Sequence, residues 1–256
     1  MLVRVNGLDT FYSVQGEGTP VLLLHGWGVS SQSLAGVQEA LAATHRAVAM
    51  DLPGFGWSQR PAAVWGHAEY AHHALGVLDA LGIAQATVLG HSFGGRVAIR
   101  MAVEHATRVS RLVLVASAGI RPPRSARYYI RVGVVKGMRA LFGLPVWGRL
   151  GTRLIARLTE RVGSRDYRAA GAMRPILVRV VNEDLAPMLP AIQAPTLILW
   201  GDRDQEVPRA AMDRMARSIP AARMVVFPGA GHFPFQDAPA AFHEALRTFL
   251  AEGGGG

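Results

Sequence analysis

A serine held between glycines, 90-GHSFGG-95, is the stretch of this 256-residue sequence best suited to covalent chemistry. A serine hydroxyl attacks a carbonyl only when a base takes its proton and a carboxylate fixes the tautomer of that base. The bare GxSxG pattern is a weak signal, but its setting sharpens it. The strand-like run 86-ATVL-89 leads in, and 95-GRVAIRMAVEHA-106 follows with the composition of a helix. A tight strand–turn–helix junction lifts a serine oxygen clear of a sheet. A side chain at Gly90 or Gly94 would collide with the neighbouring strand or helix at such a turn. The bland alternative is a structural serine at a helix N-terminus.

Of the nine histidines, His232 is the best placed base. It lies in 229-GAGHFPFQD-237, a glycine-rich loop between the last apolar run and the last helical segment. His25, His45, His67, His72, His73, His105 and His243 fall on strand ends or helices instead. His72 and His73 are adjacent, so they diverge around a helix and make a poor metal pair. The acid should follow an earlier strand, and 200-WGDRDQEVP-208 offers two. Asp204 lies deeper in the loop, with Gly201 allowing the turn; Asp202 is the alternate, better suited to a turn or an N-cap. An oxyanion needs donors as well. The backbone N–H of Phe93 is one. The second is that of Trp27, in 24-LHGWGVSS-31, where His25 reads as a brace. No metal and no organic cofactor is called for.

These residues need a scaffold that brings distant loops together. Six short apolar runs, 20–25, 46–51, 86–91, 110–117, 195–201 and 223–229, read as strands buried on both faces, as in a parallel sheet. Candidate helices lie between them at about 32–43, 67–81, 93–106, 208–218 and 238–251. The opening runs 2–6 and 10–14, joined at Gly7, read as an antiparallel hairpin. The result is an α/β fold with a mostly parallel eight-stranded sheet flanked by helices. The alternation stops after Ser117. Residues 119–190 are mostly helical in period, bounded by Gly119, Pro122 and Pro123 at one end and Pro187, Pro190 and Pro195 at the other. The expected organisation is a core of 1–118 and 191–251, a helical insertion of 119–190 after the sixth strand, and a flexible glycine tail at 252–256.

Composition narrows the functional class. Half the residues are apolar and 18 % are charged, an ordinary globular profile. No cysteine is present, which excludes disulfides and thiolate metal sites and suits the cytoplasm. Neither a signal-peptide core nor a membrane-length apolar run is expected. The net charge of +9 is concentrated in the insertion, which holds fourteen basic and four acidic residues, whereas the rest holds thirteen and fourteen.

Taken together, 25-HGWG-28, 51-DLPGFGWS-58, 90-GHSFGG-95, 201-GDRD-204 and 231-GH-232 resemble the motifs of the α/β-hydrolase family, in family order. The resemblance implies Ser92 as nucleophile, His232 as base, Asp204 as acid, Trp27 and Phe93 as oxyanion-hole donors, and residues 119–190 as the cap. It assigns 51–58 a structural role. Serine at 92 argues against the haloalkane dehalogenase and epoxide hydrolase branches, which use aspartate there. The 25–31 loop lacks the extra Gly-Pro-Gly of ring-cleavage C–C hydrolases, which lowers that branch. HGWG with DLPGFGxS is similar to esterases that demethylate pimeloyl-carrier protein, although those carry a tryptophan where this sequence has His91. The expected activity is hydrolysis of a small carboxylic ester of short to medium acyl chain. A C–C or thioester hydrolase, a carrier-protein methyl ester esterase and a non-catalytic ligand receptor are the alternatives.

Within the insertion, Arg149, Arg153, Arg157 and Arg161 recur every fourth residue beside a stripe of Leu150, Leu154, Leu158 and Val162. The arginines form either a solvated face or a dock for an acidic partner or anionic substrate. Nucleic acid is not expected, since no base-stacking motif accompanies the charge. Tyr128, Tyr129, Met138, Phe142, Trp147 and Met173 either line an apolar acyl pocket or pack the insertion.

Overall fold

The structure, a computed structural model, describes residues 1–120 and 165–252, together with Gly133 and Gly137. Eight strands form one sheet: β1 (Leu2–Val5), β2 (Leu8–Gln15), β3 (Thr19–Leu24), β4 (His45–Met50), β5 (Ala86–His91), β6 (Val109–Val115), β7 (Thr196–Gly201) and β8 (Ala222–Phe227). Their order across the sheet is β1-β2-β4-β3-β5-β6-β7-β8. β1 and β2 pair antiparallel around Asn6 and Gly7, both at positive φ, the geometry of a two-residue hairpin turn. β2 pairs antiparallel with β4, and every other pairing is parallel.

The apolar runs predicted the central strands because those strands are covered on both faces. Val21 to Leu24 are wholly buried, as is every residue of β5 and β7. Each such aliphatic side chain contributes about 1.5–3 kcal/mol relative to an exposed one. Five longer helices cover the sheet: α1 (Ala35–Ala42), α2 (His67–Ala80), α3 (Phe93–Glu104), α5 (Arg209–Ser218) and α6 (Pro239–Ala251), with α4 (Arg174–Asn182) preceding β7. The expected helix at 32–43 is a 3-10 turn, Ser31–Leu34, running into α1, and one further turn, Pro234–Asp237, precedes α6.

By contacts the chain forms two compact units, Met1–Arg121 with Val178–Gly256, and Pro122–Leu177. Residues 178–190 therefore pack with the sheet. Where the chain leaves and re-enters the first unit, the Leu185 N–H donates to the Gly119 carbonyl at 2.9 Å. The described end of the second unit holds the short helix Arg165–Ala169, and the Arg174 guanidinium lies 4.9 Å from the Tyr167 ring centroid. Tyr128, Tyr129, Met138, Phe142, Trp147 and the arginine stripe 149–161 lie outside the described residues.

Candidate active site

Three loops at the carboxyl ends of the parallel strands carry the residues singled out by sequence. Ser92 follows β5 directly and sits at φ 50°, ψ −108°. A non-glycine residue there costs about 1–3 kcal/mol and persists only when its surroundings hold it. Here the Ser92 N–H donates to the Val115 carbonyl at 2.9 Å, and the Ser92 carbonyl accepts from Gly95 N–H at 3.1 Å. The flanking glycines are required by contact. A Cβ at Gly90 would lie 2.4 Å from the Gly94 carbonyl oxygen, and one at Gly94 would lie 2.2 Å from that of Leu24.

Asp204 follows β7, and its side chain is fully buried. One carboxylate oxygen accepts the backbone N–H groups of Glu206 and Val207 at 2.8 and 3.0 Å. The other lies 2.9 Å from His232 Nδ1. Burial pushes this carboxyl up, but the imidazole and the two backbone donors outweigh it, and the net result lies below the usual carboxylate range. Asp202 instead accepts the Gly229 N–H at 2.7 Å and closes a turn. Gly201 is needed for close approach: a Cβ there would lie 2.3 Å from the Ala230 carbonyl oxygen of the His232 loop.

His232 follows β8. Its Nε2 faces the Glu206 carboxylate at 3.3 Å, a contact the sequence reading did not anticipate. Among the described residues, the Ser92 hydroxyl makes no hydrogen bond. The two loops are nonetheless adjacent: the ring of His91, next to Ser92 in the chain, lies 4.9 Å from the His232 ring.

The loop after β3 presses on the serine. A Cβ at Gly26 would lie 3.4 Å from Ser92 Cβ and 2.9 Å from His91 Nδ1. Trp27 is half-buried, and its ring packs edge-on against Phe55 at 4.8 Å and Phe93 at 5.3 Å. His25 braces this loop. Its Nε2 accepts the Leu52 N–H at 2.9 Å, so its Nδ1 carries the hydrogen and donates to the Gly26 carbonyl at 2.7 Å. Burial lowers its pKa to about 4. Asp51 holds the 51–58 loop by accepting the N–H groups of Ser31 and Trp57 at 2.7 and 2.9 Å.

A second polar cluster lies behind Phe93, and sequence gave no sign of it because its members are far apart in the chain. His67 is fully buried, and its Nδ1 lies 2.5 Å from Glu183. Burial lowers the His67 pKa, so the neutral ring donates to the carboxylate. The His67 hydrogen bond, against the cost of burial, pulls the Glu183 carboxyl down to about 2. Arg179 and Arg100 lie 3.4 and 3.8 Å from the same carboxylate. Arg96, one turn into α3 from Ser92, donates to the Val180 and Glu183 carbonyls at 2.8 and 3.3 Å. The return stem of the insertion is thereby tied to the helix that carries the serine.

Among the described residues no three His, Asp or Glu side chains are grouped to hold a metal ion, and no helix is long and apolar enough to cross a membrane. Met173 is buried, within the second unit.

The model of the alpha/beta hydrolase family matches residues 21–245. This chain belongs to that family. It is 36 % identical over 259 residues to a 2-hydroxymuconate semialdehyde hydrolase of Pseudomonas putida, covering 96 % of this chain and 92 % of that one. It is 30 % identical over 262 residues to a pimeloyl-[acyl-carrier protein] methyl ester esterase of Vibrio vulnificus, covering 95 % and 99 %. A solved meta-cleavage product hydrolase of Pseudomonas fluorescens superposes with a TM-score of 0.76 at 26 % identity, covering 98 % and 97 %. A chain without Gly-Pro-Gly in its 25–31 loop is thus similar to proteins named as a 2-hydroxymuconate semialdehyde hydrolase and a meta-cleavage product hydrolase.

Proposed function

We propose that this protein is a serine hydrolase that cleaves carboxylic esters through an acyl-enzyme. Ser92 attacks the ester carbonyl, and His232 takes the hydroxyl proton and passes it to the departing alkoxide. Asp204 holds the Nδ1–H tautomer of His232 and stabilises the imidazolium that forms. The backbone N–H groups of Phe93 and Trp27 receive the oxyanion. Water, activated by His232, then releases the acid. The observation that carries this reading is the 2.9 Å contact of a fully buried carboxylate with His232, whose ring neighbours the residue before a strained serine.

A second reading keeps these residues and changes the bond. The 36 % identity to a 2-hydroxymuconate semialdehyde hydrolase favours hydrolysis of a C–C bond beside a ketone. The expected substrate of the first reading is a small ester of short to medium acyl chain, met in the cytoplasm. The arginines of the insertion would favour an anionic one.

A panel of p-nitrophenyl esters, acyl thioesters and ring-cleavage dienones separates the readings, with Ser92→Ala as the control. Ester turnover that dominates and vanishes in Ser92→Ala supports the first. Turnover confined to dienones establishes the second, and saturable binding without any turnover would make the protein a receptor. Repeating the series at low and high salt tests the arginine stripe, since exposed charges are screened within about 10 Å at 0.1 M salt.

A further inference from the structure

β5 is buried along its whole length, yet it ends in a histidine. His91 is 1 % exposed, and its Nε2 lies 2.9 Å from the carbonyl oxygen of His232, 141 positions away in the chain. A carbonyl can only accept, so this nitrogen carries the ring hydrogen. Nδ1 then holds a lone pair, for which the described residues offer no hydrogen-bond partner. Rings enclose the imidazole: His232 and Phe233 at 4.9 Å and Phe235 edge-on at 5.2 Å. A buried orphan nitrogen is destabilising, and a phenyl ring would fill the same space without one. The position therefore asks for what the N–H contributes.

We propose that His91 is a positioning residue: its Nε2–H···O=C bond fixes the main chain of His232 relative to the serine. The peptide that carries this strut is bonded directly to Ser92, so any shift of the elbow carries the base loop with it. The need is specific. The His232 imidazole is gripped at Nδ1 by Asp204 and faces Glu206 with Nε2, and the Ser92 hydroxyl has no hydrogen-bond partner among the described residues, so ring and hydroxyl have still to be brought into line for proton transfer. A fixed main chain confines that adjustment to the side chains and prevents drift of the whole loop. Burial, then the nearby His232, lowers the His91 pKa to about 3, which keeps the ring neutral and the tautomer constant.

The proposal rests on His232 being the base, and it is tested by comparing two variants. His91→Phe keeps a ring and removes the donor; His91→Gln keeps a side-chain N–H of similar reach. With p-nitrophenyl butyrate, His91→Phe is expected to lose about 10- to 100-fold in kcat with KM within about twofold, the scale of a small misplacement of reacting groups. His91→Gln is expected to recover most of that loss. Wild-type kcat in a folded His91→Phe, or equal losses in both variants, would overturn the strut. Nitrogen-15 NMR of wild-type imidazoles tests it without turnover or a variant: an Nε2–H tautomer at His91 supports it and an Nδ1–H tautomer overturns it. A wild-type protein inert toward esters would sink the esterase reading and leave this readout intact.

Discussion

Lowering the pH from 8 to 5 should strip this protein of much of its stability, through histidines that brace the site. His25 and His91 are 0 % and 1 % exposed, and burial lowers their pKa values to about 4 and about 3. In the unfolded chain both return to about 6.5. The folded values are depressed, so the stability is fully present above pH 6.5 and is lost as the pH falls toward the folded values. At pH 5 the unfolded rings are almost wholly protonated and the folded ones are neutral. Each ring then removes about 2 kcal/mol, or about 4 kcal/mol for the pair. His73, lowered to about 4, and His67 act in the same direction. The carboxylates contribute little in this window. Glu183, at about 2 in the folded protein, loses most of its contribution only below pH 4.5. The assay is reversible urea unfolding followed by tryptophan fluorescence at both pH values, with thermal melts alongside. A loss of about 4 kcal/mol corresponds to about 8–16 °C in Tm for a chain of this size. His91→Gln cannot titrate, and it should recover about 2 kcal/mol of the difference. A change smaller than about 1 kcal/mol between pH 8 and 5 would refute the claim that these rings are buried and neutral.

Two further outcomes follow from the geometry. Gly26→Ala places a methyl group 2.9 Å from His91 Nδ1 and 3.4 Å from Ser92 Cβ; it should lower kcat/KM about 100-fold while costing only about 1–3 kcal/mol of stability, read by ester hydrolysis and urea unfolding. Glu183→Gln removes the charge that His67, Arg100 and Arg179 share. It should destabilise by about 1–3 kcal/mol in urea, and a value near zero would mean that the cluster does not hold the return stem.

Most of the sheet was legible because buried parallel strands announce themselves as apolar runs ended by turn residues. The three loops were legible for the same reason: each begins where such a run stops. Helix starts were less so. The segment at 32–43 begins as a 3-10 turn, and its first N–H, that of Ser31, is satisfied by the Asp51 carboxylate twenty residues on, a pairing with no local pattern. The hidden parts of the site are those made by pairing across the chain. His91 stays hidden beside Ser92, although a histidine closing a wholly buried strand is the available signal. Glu206 gave none, since an exposed carboxylate two residues beyond Asp204 looks like any loop acid. The His67–Glu183 pair joins residues 116 positions apart and has no local pattern at all.

The central claim is that the Ser92 hydroxyl is made nucleophilic by its neighbours, and covalent trapping tests it most directly. Treatment with a fluorophosphonate, followed by mass spectrometry of the digest, should place one phosphonyl group on Ser92, with hydrolysis lost in step with labelling. Modification elsewhere, or undiminished turnover by a protein fully labelled at Ser92, would contradict the account.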